Sequence, residues 1–392
     1  MILYWQVLCV NKIIIFYGSN REFNKKIPRD SRNLTDVVME LDSDSKNMIV
    51  HIPELQKENN DTKTEKEKLK VANFVINSDE YSGVREHVII NFANFIAKMD
   101  IQNMYIQNPP IHISEQLHRI YDEKNIIQEI RQPYNGITKT ILQQFYNGYD
   151  DKIIGQEIAK MKVLQALYPL MDNKQKKPMV ILFYGDSGIG KTETAHYLAE
   201  LLDGKLMRKQ FSMYQNNQFG TYLFGGSYGE GSFAKDLLDR DSNVILLDEF
   251  DKANPVFHSA FYQLFDEGVY EDRNYKVNLD YAIIICTSNY KTENEIKEQL
   301  GTPIFNRFDA VIHFEDLSNE AKEKIARNFI QESIEEYEED GIEMNKNILM
   351  RLQKSAIAYS NAREIKHLIQ NTFSLYAIRQ LCLNDVTNES ND

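Results

Sequence analysis

Between residues 150 and 315 the chain alternates short, continuously apolar runs with segments of helical period. The apolar runs are 179–184, 244–247, 281–286 and 310–314. Strands that are apolar on both faces belong to parallel sheets covered by helices on each side, so this stretch predicts an α/β unit around a central parallel sheet. Ahead of it, residues 12–17 and 48–52 read as strands, 54–70 as a polar loop or solvated helix, and 71–76 as another short strand. Helical period returns over 84–99, a strand pattern over 103–107 and a helix over 114–121, with Asn108-Pro109-Pro110 punctuating the last pair. This alternation predicts a small α/β module over residues 1–149, with no catalytic constellation of its own. From Leu317 to about Leu383 the pattern is helical, and a polar tail occupies 384–392.

Composition narrows what these regions do. The 392 residues are 42% hydrophobic and 26% charged, ordinary values for a folded chain of about two to three domains. The net charge of −13, from 58 acids against 45 bases, repels a polyphosphate backbone, and basic runs such as 174–177 are short. Nucleic acid is therefore not an expected partner. Cys9, Cys286 and Cys382 are too scattered for a disulfide framework or a zinc site. Cys286, inside an apolar run, is expected to pack as a small hydrophobe. The opening MILYWQVLCVNKIIIF is apolar, but no basic residue precedes it and Asn11 and Lys12 interrupt it. A buried strand or two is predicted there instead of a signal or membrane segment, and a cytoplasmic protein is expected.

The strongest chemical signal is Gly185-Asp186-Ser187-Gly188-Ile189-Gly190-Lys191-Thr192. It fits the phosphate-binding P-loop in full, follows an apolar strand and opens the helical stretch that begins at Glu193. Glycines let backbone N–H groups turn toward phosphate oxygens, and the helix amino terminus adds favourable partial charge. Lys191 is expected to reach the β- and γ-phosphates of ATP and the Thr192 hydroxyl to bind Mg²⁺. A second signal, Val244-Ile245-Leu246-Leu247-Asp248-Glu249, places two carboxylates at the end of an apolar strand. Asp248 is the expected Mg²⁺ holder, through water, and Glu249 the group that orients and polarises the attacking water.

With these in place, the sequence VILLDEFDKANP (244–255) resembles the Walker B segment of Clp-type AAA+ proteins, the protein-remodelling ATPases. Further stretches follow in that family's order. Ile153-Ile154-Gly155-Gln156 resembles the segment that lines the adenine pocket, and Thr287-Ser288-Asn289 resembles sensor 1, which makes Asn289 the residue that aligns the water. Phe305-Asn306-Arg307-Phe308-Asp309 resembles the arginine-finger segment, and Asn361-Ala362-Arg363 resembles sensor 2. The resemblance runs from about Asp150 to about Leu383. It implies a P-loop AAA+ large domain over 150–316, a small helical domain over 317–392, and the separate α/β module of 1–149 as a recruiter of partner or substrate. It also implies that Arg307 acts on the nucleotide of a neighbouring subunit, so that activity needs a homo-oligomer, a hexameric ring by analogy. Arg363 is implied to contact the γ-phosphate in cis, and Arg240 to lie at the subunit boundary.

The departure lies in the substrate loop. Clp-type unfoldases thread polypeptide with an aromatic residue flanked by glycine and small apolar residues. Here the matching stretch, Phe224-Gly225-Gly226-Ser227-Tyr228-Gly229-Glu230-Gly231, is shortened. Tyr228 is either the gripping aromatic or an incidental tyrosine in a flexible glycine loop. Phe211, Tyr214, Phe219, Tyr222 and Phe224 lack the lysines and arginines of a base-stacking surface and are expected to pack under that loop. His51, His87, His112 and His118 have no metal-ligand spacing. The small domain ends on its last helix, without the closing strand many relatives carry. The leading functional expectation is an ATP-driven remodeller of a protein client. The alternative is a nucleotide-controlled assembly switch, and a nucleic-acid loader stands third.

Overall fold

The computed structural model describes residues 10–47, 68–122, 125–173, 176–213, 218–338, 342 and 344–388. They form two units, each drawn from separate stretches of chain: Met1–Tyr134, Asn216–Asp241 and Ser259–Leu279 make the first, and Asn135–Gln215, Ser242–His258 and Asp280–Asp392 the second.

In the first unit, β1 (Lys12–Tyr17), β2 (Arg32–Asn33), β3 (Leu69–Ile76), β4 (Met99–Gln107) and β5 (Ile127–Arg131) form a parallel sheet in the order β2-β3-β4-β1-β5. Ile13 and Ile15 of β1 face Met104 and Ile106 of β4 in register, and all four are buried. Each such side chain contributes about 1.5–3 kcal/mol by leaving water. The helical pattern over 84–99 splits into Glu86–Ile90 and Phe92–Ile96. The break is Asn91, whose Nδ2 donates to the His87 carbonyl at 3.2 Å and so competes with the helical backbone. The expected helix over 114–121 starts earlier, at Ile111, right after Pro110. β5 escaped the sequence reading because IQEIR is largely exposed and polar. The strand expected at 48–52 lies outside the described residues, as do 1–9 and most of 54–70, of which Leu69 and Lys70 open β3.

The second unit holds the other parallel sheet, built from β6 (Met179–Tyr184), β7 (Met207–Gln210) and β8 (Val244–Asp248). The hairpin of β9 (Val269–Glu271) and β10 (Lys276–Asn278), which belongs to the first unit, follows in sequence, and β11 (Ile283–Thr287) and β12 (Ala310–His313) then complete the sheet. The order is β12-β6-β11-β8-β7. Every residue of β6, β8 and β11 is buried, including Cys286, as continuous apolar runs require in the middle of a parallel sheet. Helices Lys139–Lys152, Glu157–Leu167 and Lys191–Leu201 share one core with Ile181, Leu246 and Ile285. That core extends through Ile325, Leu352, Ile365 and Phe373 of the carboxy-terminal helices Asn319–Glu338, Lys346–Ser355 and Ala362–Asn388. The last helix runs five residues into the polar tail, since 384–388 contains no helix breaker. Edge strand β7 was missed because MRKQ is charged and only Met207 is buried.

The segments 216–241 and 259–279 decide the fate of the glycine loop. Tyr228 is 6% exposed and sits in the first unit's core cluster with Val71, Phe74, Ile89 and Leu117. The loop around it is tied down: Gly226 accepts from Asn274 Nδ2 at 3.0 Å, and Ser227 N–H donates to Glu230 Oε2 at 3.0 Å. Both alternatives for Tyr228 are therefore corrected, since it is neither a displayed grip nor an incidental loop residue but a core side chain. Phe211 and Phe219 are fully buried and Tyr222 nearly so, as a packing role requires, whereas Phe224 is exposed. Tyr214 lies outside the described residues.

Candidate active site

The P-loop leaves the carboxyl end of β6 and enters the helix Lys191–Leu201. Its glycines answer to close packing as well as to phosphate. Gly185 has φ +131°, and a Cβ there would meet the Phe314 carbonyl oxygen at 2.4 Å. Gly190 has φ +113°, and its Cβ would fall 2.8 Å from Cγ2 of Ile153. The contact at Gly190 brings the Ile153-Ile154 segment against the loop. Gln156 anchors the same segment, donating to the Glu315 carbonyl at 2.7 Å and accepting from the Glu315 N–H at 3.0 Å. The Gly188 carbonyl accepts from the Ala362 N–H at 3.0 Å, which fixes the start of the last helix on the loop and carries Arg363 to the same place.

These elements surround a cavity of about 650 Å³. Ile153, Ile154, Ser187, Gly188, Ile189, Gly190, Lys191, Thr192, Glu193, Asp248, Glu249, Asn289 and Arg363 line it. Gly185 and Asp186 stand just outside the lining, Gly185 as the hinge from β6 and Asp186 paired with Lys291 at 3.3 Å. The fold thus gathers these residues from five stretches of sequence at the carboxyl end of one parallel sheet, the usual place for a ligand in such folds.

Lys191 Nζ donates to the carbonyls of Gly185 at 2.5 Å and Asp186 at 2.7 Å, and to Asn289 Oδ1 at 3.3 Å. Burial pulls its pKa down to about 8, although the carboxylates of Asp251, Asp248 and Asp186 work the other way. Asn289 is thus placed beside the P-loop lysine. The carboxylates at the end of β8 are engaged as well. Asp248 accepts at Oδ1 from the Thr287 hydroxyl at 2.5 Å, and at Oδ2 from Arg208 Nη2 at 2.5 Å and Nε at 2.9 Å. Glu249 accepts from Gln210 Nε2 at 3.1 Å, and its N–H donates to Thr287 Oγ1 at 2.9 Å. Glu249 has φ +54° and ψ +45°, a left-handed conformation that costs a non-glycine residue about 1–3 kcal/mol and recurs at functional positions.

Thr192 and Asp248 could hold a divalent ion here. Among the described residues no group of three or more His, Cys, Asp or Glu converges on a metal site. Mg²⁺ in a nucleotide site needs none, because one or two protein oxygens serve it together with phosphate and water.

Two predicted arginines lie elsewhere. Arg307 is partly exposed, donates through Nη1 to the Pro303 carbonyl at 2.6 Å and does not line the cavity. Arg240, implied to lie at a subunit boundary, is 6% exposed in the first unit. It donates to the Leu237 carbonyl at 2.5 Å, and its guanidinium lies 4.5 Å from the Tyr134 ring centroid. It is held inside its own chain. Sequence reasoning missed Arg208, Gln210 and Lys366, all of which line the cavity. Arg208 and Gln210 carry a period-two signal, since side chains two apart on a strand share a face, but only the pairing of β7 with β8 shows what that face meets.

Residues 176–338 match the family described as AAA domain (Cdc48 subfamily). The chain is 26% identical to the chaperone protein ClpB of Malacoplasma penetrans over 317 residues, 73% of this chain and 45% of that protein. It is 36% identical to the AAA+ ATPase ClpV1 of Pseudomonas aeruginosa over 156 residues, 36% of this chain and 17% of that protein. It is 25% identical to the ATP-dependent Clp protease ATP-binding subunit ClpE of Bacillus subtilis over 293 residues, 63% of this chain and 42% of that protein. The chain spans less than half the length of each of these relatives.

Proposed function

We propose that this chain is a Clp-type AAA+ ATPase, which hydrolyses ATP and spends the nucleotide cycle on remodelling a protein partner as a homo-oligomer. The observation that carries this is the convergence of Lys191, Thr192, Asp248, Glu249, Asn289 and Arg363 on one cavity. In this reading Lys191 and the loop N–H groups hold the phosphates, Thr192 and Asp248 hold Mg²⁺, and Glu249 and Asn289 align the attacking water. Arg363 contacts the γ-phosphate in cis. Arg307, away from its own cavity and partly exposed, completes a neighbour's site in a ring, hexameric by analogy. The module that includes residues 1–134 recruits the partner. Among the described residues no helix is long and apolar enough to cross a membrane.

The burial of Tyr228 favours a second reading, a nucleotide-controlled assembly switch that regulates its partner without threading it. Glu249→Gln tests the shared core: it should bind ATP, hydrolyse it very slowly and accumulate as an oligomer, while Lys191→Ala should lose nucleotide. Normal turnover in Glu249→Gln, or full ATP retention in Lys191→Ala, would overturn the site assignment. Mass spectrometry of proteins held by the Glu249→Gln oligomer, followed by an unfolding assay on them, separates remodeller from switch.

A further inference from the structure

We propose that Arg208 is a resident counter-cation for Asp248, which a divalent ion must displace or share, and that it thereby sets how strongly nucleotide binding depends on that ion. Asp248 is nearly buried, and a carboxylate withdrawn from water needs compensating charge or donors. It has both. Thr287 holds Oδ1, and the Arg208 guanidinium holds Oδ2 through two nitrogens. Arg208 differs from its acceptor in exposure: its side chain is 42% accessible and lines the nucleotide cavity.

Its place on the sheet explains the geometry. Arg208 and Gln210 share one face of edge strand β7, where Gln210 pairs in register with Asp248 and Arg208 with Leu246. One strand therefore presents a cation to the first carboxylate of the pair and an amide to the second. A metal ion drawn to Asp248 enters the field of the guanidinium, so two cations compete for one carboxylate. Without the metal, the same guanidinium still offers positive charge to the phosphates. Removing it should therefore weaken metal-free nucleotide binding and favour metal binding, two effects of opposite sign. A scaffolding role for Arg208 would shift both affinities the same way. The inference rests on the cavity being the Mg²⁺-nucleotide site.

The test uses the full chain and a fluorescent ADP analogue, titrated once in EDTA and once in saturating Mg²⁺, with Arg208→Ala, Arg208→Gln and Arg208→Lys beside the parent. The ratio of the two dissociation constants should rise about tenfold in Arg208→Ala, as expected for the loss of one partly screened charge a few ångströms from the metal. Arg208→Gln, which keeps bulk and a donor, should follow alanine, and Arg208→Lys should stay near the parent. Circular dichroism establishes that each variant is folded, and if alanine does not fold, the contrast between glutamine and lysine decides. A ratio within twofold of the parent in the neutral variants overturns the proposal. A parent chain that fails to bind the analogue overturns instead the reading of the cavity.

Discussion

Replacing Tyr228 with alanine separates a gripping aromatic from a core one. A tyrosine side chain presents on the order of 150 Å² of largely apolar surface, and this residue keeps only 6% of its area in contact with solvent. At about 25 cal/mol per Å², that burial is worth about 3–4 kcal/mol, and a partly collapsed unfolded chain lowers it to about 2–4 kcal/mol. Large-to-small substitutions in cores fall in the same range. Against a urea dependence of about 1–3 kcal/mol per M, the unfolding midpoint should drop by about 0.7–4 M. Urea titration followed by far-ultraviolet circular dichroism measures it, and limited proteolysis identifies the cleaved unit, which should be the one containing residues 69–121. Tyr228→Phe, which keeps the ring, should stay within about 1 kcal/mol of the parent. An alanine variant with an unchanged midpoint and a selective loss of client unfolding would refute this reasoning, because it would mean that Tyr228 works in the open.

Two further outcomes are expected. Gly190→Ala should cut nucleotide affinity by at least about tenfold, because φ +113° strains alanine and the new Cβ meets Ile153 at 2.8 Å, whereas Gly231→Ala, with nothing within 4 Å, should match the parent in fluorescent-nucleotide titration. Buried His258 stacks on Phe250 at 5.4 Å, and burial holds its pKa below the usual histidine value. The unfolded chain therefore takes up this proton first as pH falls, so the stability tied to neutral His258 is complete above about pH 6.5 and is lost progressively below it. Thermal melts across that window should show an acid-side decline that is shallower in His258→Phe, and equal slopes would contradict the assignment.

The site was legible wherever its chemistry constrains consecutive residues. A P-loop needs its glycines, lysine and threonine in one short run, and the end of β8 needs its acids directly after the apolar residues, so both announce themselves along the chain. Asn289 and Arg363 were reachable only through resemblance, since a lone asparagine or arginine carries no local signature. Arg208 and Gln210 were not reachable as site residues, because their period-two spacing says only that they would share a face of a strand. Nothing in MRKQ says that an edge strand will lie beside β8, and that pairing is what aims both side chains at Asp248 and Glu249.

Hydrophobic periodicity determined the α/β character of both regions, the central parallel sheet of the second unit and the helical carboxy-terminal region, and the glycine-lysine-threonine run fixed the phosphate loop between strand and helix, because each depends on contacts within a few residues or on a period set by the backbone. Tertiary structure alone decided where residues 216–241 and 259–279 belong, what becomes of Tyr228 and Arg240, and which side chains neutralise Asp248. Those outcomes turn on burial against distant segments and on registers between strands far apart in sequence, such as Arg208 beside Leu246. Composition does not encode them, because the same tyrosine or arginine serves equally well on a surface or in a core until its neighbours are assembled.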